Sequence, residues 1–322
     1  MRPCWLIGST FIGLVSTVAL LFAFAKPAKA TAEPSLARRS ASDDPAQLQS
    51  AGALPTLSFA IVGDTRPANE DDVAGYPTAI ITKIWQDVAA ANPAFAVTTG
   101  NYMFASPTHK PSTAEAQLKL YVSAQSNFKG PVYHAMGNDE CTGANNSNCG
   151  AGNPDGLTPN YQAFMSKLVR PEGHGRPYHV MHFHDPYNVW TAKFVIIAGN
   201  AWDAAQAAWL NRVLAEPTTY TFIVRNPSTV DNMAPCLAGK GSSNADTIIS
   251  KHPFTLLIVG HTHTYAYYAS EKQLIVGNGG APLAGSVNYG YVIGTRQPNG
   301  TLKFTAYDYS TNAVVSTFMV AP

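Results

Sequence analysis

Four short apolar runs in this chain each end on a glycine followed at once by a polar side chain. Leu57 to Val62 ends on Gly63-Asp64, and Phe95 to Thr99 on Gly100-Asn101. Pro131 to Met136 ends on Gly137-Asn138-Asp139-Glu140, and Phe254 to Val259 on Gly260-His261-Thr262-His263. Runs of this length and composition read as buried strands. Between the first three, Tyr76 to Ala91 places Ile80, Ile81, Ile84, Trp85 and Val88 at helical spacing, and Ala114 to Gln125 is again helical. Strands alternating with helices form a sheet with helical crossovers. Polar residues just past the C-terminal ends of such strands line a ligand crevice. The pattern therefore gathers Asp64, Asn101, Asn138 and Asp139 at one edge.

The later half adds antiparallel signal. Tyr178 to His184 and Val189 to Ala198 read as a hairpin turning at Asp185-Pro186-Tyr187-Asn188. Asp203 to Leu214 is helical, with Trp209, Leu210, Val213 and Leu214 on one side, and Thr219 to Val224 is a strand ending at Arg225-Asn226-Pro227. Tyr265 to Val320 reads as several alternating strands. Two sheets face to face, with helices outside, accommodate this order. A length of 322 residues suits one large α/β domain or two small ones. Net charge is only +1 and no basic stripe stands out, which argues against nucleic acid as a partner.

The N-terminus is of another kind. Arg2 precedes an almost wholly apolar stretch from Trp5 to Ala25, and Ala28-Lys29-Ala30 offers the small-x-small pattern of a cleavage site. Residues 1–30 read as a secretory signal, and the protein as exported. The alternative is an uncleaved membrane anchor, since the apolar run is about long enough to span a bilayer. Residues 31–55 lack apolar periodicity and read as a disordered linker before a domain over 56–322. Export permits disulfides among Cys141, Cys149 and Cys236. Cys141 and Cys149, flanking a Gly/Asn-rich loop, are the favoured pair, but spacing does not decide among three pairings.

Gly260-His261-Thr262-His263 sets two imidazoles two residues apart where a strand becomes a loop. Imidazole nitrogens suit Zn, Fe and Mn. Together with Gly63-Asp64-Thr65-Arg66, Gly100-Asn101 and Gly137-Asn138-Asp139-Glu140, in this order, the motif resembles those of the calcineurin-like metallophosphoesterases, including purple acid phosphatase relatives. Phe194 to Leu214 resembles that family's strand-then-helix connection, and Gly277-Asn278-Gly279-Gly280-Ala281-Pro282 its glycine-rich loop. The resemblance covers about residues 57–310 and implies a four-layer α/β/β/α sandwich with two mixed sheets packed face to face. It also implies phosphoester hydrolysis by two adjacent metal ions.

By that resemblance, Asp64, Asn138, His261 and His263 keep metal-ligand identity. The bridging carboxylate position is Asn101, two imidazole positions are Arg66 and Arg225, and the catalytic histidine position is Asp139. A guanidinium has no lone pair for a metal and stays charged. Asn101 removes the negative charge that lets two cations lie close. These changes argue against a dinuclear centre. Two readings follow. A divergent hydrolase would hold one divalent ion (Zn, Fe or Mn) through Asp64, Asn101, Asn138, His261 and His263, with Asp139 and His261 as catalytic groups. A pseudoenzyme would hold no metal and act as an anion- or protein-binding module, with Arg66 and Arg225 gripping a phosphoester or other oxyanion.

Other features read as structural. His182 and His184 fit the polar face of a hairpin strand better than a second metal site, His134 reads as a core histidine, and Tyr265, Tyr267 and Tyr268 as strand packing.

Overall fold

Apolar side chains on both faces of the central strands force a layered packing. The computed structural model describes residues 50–106, 113–140, 158–227, 241–284 and 288–322. The signal segment, Cys141, Cys149 and Cys236 lie outside them. In β2 (Ser58–Val62), Phe59 and Ile61 point to one buried cluster while Ala60 and Val62 point to another. A strand buried on both faces must sit between a second sheet and a layer of helices.

That arrangement is observed. The six-stranded sheet runs β13-β12-β11-β2-β3-β4, and β2, β3 (Phe95–Thr98) and β4 (Val132–His134) are parallel. The strands β11 (Gly290–Arg296), β12 (Leu302–Asp308) and β13 (Val314–Val320) continue it antiparallel. The seven-stranded sheet runs β1-β5-β6-β7-β8-β10-β9. Its parallel centre is β6 (Thr191–Ile196), β7 (Tyr220–Val224), β8 (Leu256–Val259) and β10 (Gln273–Val276), flanked by β5 (His179–His184) and β9 (Tyr265–Tyr268). Phenylalanines from both sheets fill the space between: Phe59 meets Phe194 edge-on at 4.8 Å, and Phe95 stacks on Phe183 at 4.3 Å. The four-layer sandwich expected from the sequence is the fold.

Helices α1 (Thr78–Ala91) and α2 (Thr113–Gln125) pack on one another, and α1 also meets β11. Ile81, Ile84, Trp85 and Val88 are the buried stripe of α1. The short α3 (Pro159–Phe164) leads into two further helical turns that end at Glu172. α4 (Ala204–Ala215) begins where Asp203 caps the Gln206 amide at 2.6 Å, and it packs on α5 (Gly241–Ile249).

One boundary moves. The linker expected over 31–55 gives way at Ser50–Ala53 to β1, which pairs in parallel with β5 at the sheet edge. A strand of Ser, Ala and Gly carries no apolar alternation to betray it, because edge pairing is made by backbone groups. The expected structural readings of the hairpin and tyrosines agree with the packing. His182 faces Glu216 at 3.4 Å, and Tyr267 stacks on Phe318 at 3.7 Å.

Candidate functional site

Parallel register brings the strand ends together. Thr98 lies opposite His134, and Val224 opposite Ile258, so the turns after β2, β3, β4, β7 and β8 share one edge. The loops there are left-handed at Asp64 (φ 50), Asn101 (φ 57), His261 (φ 73) and His263 (φ 50). Asn, Asp and His tolerate that conformation better than most non-glycine residues. Glycine before each turn has a second cause, which is room. A Cβ on Gly260 would sit 2.5 Å from Asp64 Oδ2, and one on Gly277 would sit 2.7 Å from the same atom.

Asp64 is the hub and is fully buried. Its Oδ2 accepts the His261 amide at 2.6 Å, and its Oδ1 accepts Asn226 Nδ2 at 3.3 Å. Burial pushes its carboxyl well above the usual range, against the pull of that amide and of the Arg66 charge. A carboxamide relay lies beside it. Asn101 Nδ2 donates to Asn138 Oδ1 at 3.3 Å, and His261 Nδ1 donates to the same oxygen at 3.1 Å. Asn138 Nδ2 then donates to Asp139 Oδ1 at 2.9 Å. His263 Nδ1 donates to the Pro282 carbonyl at 2.9 Å, and burial beside Arg66 lowers its pKa to about 4, so the ring is neutral.

Arg66 supplies the cation of this crevice. Its Nε lies 3.2 Å from Asp139 Oδ2, and its guanidinium covers the Phe104 ring at 4.3 Å. Arg225 does not join it. The guanidinium expected to share an oxyanion with Arg66 is fully buried and pairs with Asp246 of α5 at 2.7 Å. Side chains alternate along an extended chain, so if Arg225 faces the helix then Asn226 faces the crevice. Asn226 reaches both Asp64 and the Thr99 carbonyl.

Two contributors escaped the sequence reading. Asn226 was visible only as a neighbour of Arg225. Glu140 ends the third of the four motifs and ties it to the second by accepting the amides of Asn101, Tyr102 and Gly137 at 2.7–2.8 Å and of Met103 at 3.4 Å. Nothing in its spacing announces four backbone partners.

A dinuclear metal centre does not fit these residues. Both Asp64 oxygens already face N–H donors, and the Asn138 oxygen faces two. The neutral Asn101 cannot offset two dications, and Arg66 occupies Asp139. Asp64, Asp139, His261 and His263 do not bring three ligand atoms within 4.8 Å of one another; among the described residues one group does, and it lies elsewhere.

Removing Arg66 tests the electrostatics. Arg66→Met should leave Asp139 buried without its cation, since Asp139 is already pushed up by burial and held down chiefly by Arg66. The expected loss is about 2 kcal/mol at neutral pH, read from urea unfolding and reduced because Arg66 is partly exposed. The same variant should lose less at acid pH, where Asp139 is protonated.

No protein-family model matches the chain, and no curated protein matches it by sequence. Solved structures do. GAP50, the anchor in the inner membrane complex of Plasmodium, superimposes with a TM-score of 0.60 at 13% identity, covering 83% of this chain and 89% of that one. Purple acid phosphatase from yellow lupin (Lupinus luteus) gives 0.59 at 15% identity, covering 84% of this chain and 54% of the plant enzyme, so the match spans about half of that enzyme. A dimetal phosphatase from Danio rerio gives 0.54 at 11% identity, covering 83% and 99%. Identities this low speak for architecture and not for activity. The two facing mixed sheets, the helical layers outside them and the crevice at the strand ends are together the fold of the calcineurin-like metallophosphoesterases.

Proposed function

We propose that this chain is a phosphoesterase-fold protein that works by binding, not by dinuclear hydrolysis. The observation that carries this reading is the closure of the crevice on itself. Asp64, Asn101, Asn138, Asp139 and His261 are hydrogen-bonded into one network, and Arg66 stands on Asp139. The partner that suits the crevice is a phosphoester or similar oxyanion, which would replace Asp139 on Arg66. The Plasmodium neighbour is described as an anchor in a membrane complex, a binding task, and that description agrees with this reading. Nucleic acid stays outside it, since net charge is +1. Export through the N-terminal signal is part of it, with membrane attachment only if that segment is retained.

Hydrolysis of p-nitrophenyl phosphate with added zinc, manganese or iron is the test. No turnover above a protein-free blank is expected. Turnover that disappears in Asp64→Asn would refute the reading.

A second reading has one observation in its favour. Asn138 holds Asp139 at 2.9 Å and His261 at 3.1 Å, so an acid and a base share one bridge. A hydrolase built on that pair would lose its activity in both Asp139→Asn and His261→Ala while keeping its fold.

A further inference from the structure

At the edge of the six-stranded sheet, beyond β4, four side chains collect that no part of the crevice uses. Glu172 ends the helical turns after α3, His174 follows on the next loop, His179 opens β5, and His134 closes β4. One ligand atom from each of Glu172, His174 and His179 lies within 4.8 Å of the others. All are withdrawn from water: the side chains of His134, Glu172 and His179 are 4%, 9% and 1% exposed, and His174 is 4% exposed.

The cluster is short of hydrogen bonds. His134 Nδ1 contacts Glu172 Oε1, which leaves Oε2 facing His179 Nε2 at 3.9 Å. Glu172 Oε2, His174 Nε2, His134 Nε2 and both ring nitrogens of His179 are buried without a hydrogen-bond partner. Each unmade bond of this kind is unfavourable by about 1–3 kcal/mol, so five in one place are a large anomaly for a folded core. The His174 and His179 rings lie parallel with centroids 3.6 Å apart, which sets their nitrogens side by side.

We propose that Glu172, His174 and His179 form a site for one divalent transition-metal ion of the zinc class, with His134 fixing the Glu172 carboxylate. Two imidazoles and a carboxylate are a common zinc donor set, with a fourth position left for water. A cation satisfies the orphaned lone pairs and neutralises the carboxylate at once. His134 bonded to the far oxygen of Glu172 is the supporting partner such a ligand needs. One ring must turn out of the stack to share the ion, and His174 sits on a short loop after Gly173, whose φ is 90. A surface groove of about 390 Å³, lined in part by Val122, Tyr133, Lys167, His134 and Glu172, reaches the cluster on its carboxylate side. Because Glu172 ends the helical turns after α3 and holds His134 of β4, while His179 opens β5, the ion would tie the helical turns to β5 directly and to β4 through Glu172.

Zinc titration of the full, untagged chain tests the proposal, followed by calorimetry and by the thermal midpoint. About one zinc per chain and a higher midpoint are expected. Glu172→Gln, which keeps the shape, and His174→Gln should each weaken zinc binding by more than about 100-fold, and His134→Gln by about 10–100-fold. Asp64→Asn and His261→Ala, in the crevice, should leave it unchanged. The proposal is overturned if wild type takes up no zinc, or if Glu172→Gln and His174→Gln bind it as wild type does. Cobalt substitution keeps the test independent of variant folding. Intense visible bands of a tetrahedral site support the assignment, and the pale spectrum of aqueous cobalt contradicts it.

Discussion

Glu140→Ala is expected to lose about 4 kcal/mol of stability in urea or guanidinium unfolding. The side chain touches no solvent, and its two oxygens accept four amides from two separate loops. Alanine strands those donors inside the protein, where water cannot replace the lost acceptor. The loops concerned present Asn101 and Asn138, so the crevice network should loosen together with the fold. Glu140→Gln keeps the shape of the neutral acid and one carbonyl acceptor, and should fall between alanine and wild type.

The same residue gives a pH signature. Burial outweighs the four donors and raises its pKa to about 7. The folded state thus holds the proton more tightly than the unfolded chain does. Its contribution is complete below the ordinary value of 4.5 and is lost as pH rises through about 7. The stability gap between wild type and Glu140→Gln should therefore narrow over that window. A gap that widens with pH would contradict the assignment.

Gly63→Ala should cost at least as much, and no single compensating change should rescue it fully. An added methyl would overlap Thr99 Oγ1 and the Val276 carbonyl oxygen, and it would lie 3.0 Å from Thr99 Cβ. Thr99 Oγ1 itself donates to Val276 at 3.0 Å, so β3 and β10 are already joined at this point. The clash with Val276 is with backbone, and backbone in a packed sheet does not move aside cheaply. A loss above about 4 kcal/mol, or failure to fold, is expected. The double variant Gly63→Ala/Thr99→Ala removes one of the two obstacles and should recover only part of the loss. A single variant within about 1 kcal/mol of wild type would show that the two sheets are not so closely joined at this edge.

Much of this architecture is legible in residue order. Runs such as Leu57 to Val62 are apolar on both faces, and only a strand between two layers can bury both. A glycine after each run marks where backbone and neighbouring loops come close, which is why Asp64, Asn101, Asn138 and His261 are foreseeable as neighbours. Other features depend on contacts that sequence spacing does not encode. The edge strand at Ser50–Ala53 is held by backbone pairing and has no apolar pattern. Arg225 and Asn226 differ by one step in an extended segment, and one step exchanges the crevice for the helix layer. Glu172, His174 and His179 are close in sequence but follow neither helical nor strand periodicity. Their convergence with His134 is made by the end of the helical turns after α3 folding over the sheet edge.

The most direct measurement is metal content by mass spectrometry on wild-type full chain purified without chelators or a histidine tag, beside Asp64→Asn and His261→Ala. At most about one ion per chain is expected, unchanged by either crevice variant, because both Asp64 oxygens and the Asn138 oxygen already face N–H donors. About two ions per chain, falling in Asp64→Asn and His261→Ala, would show that the crevice is a working dinuclear centre and that its binding role has been misassigned.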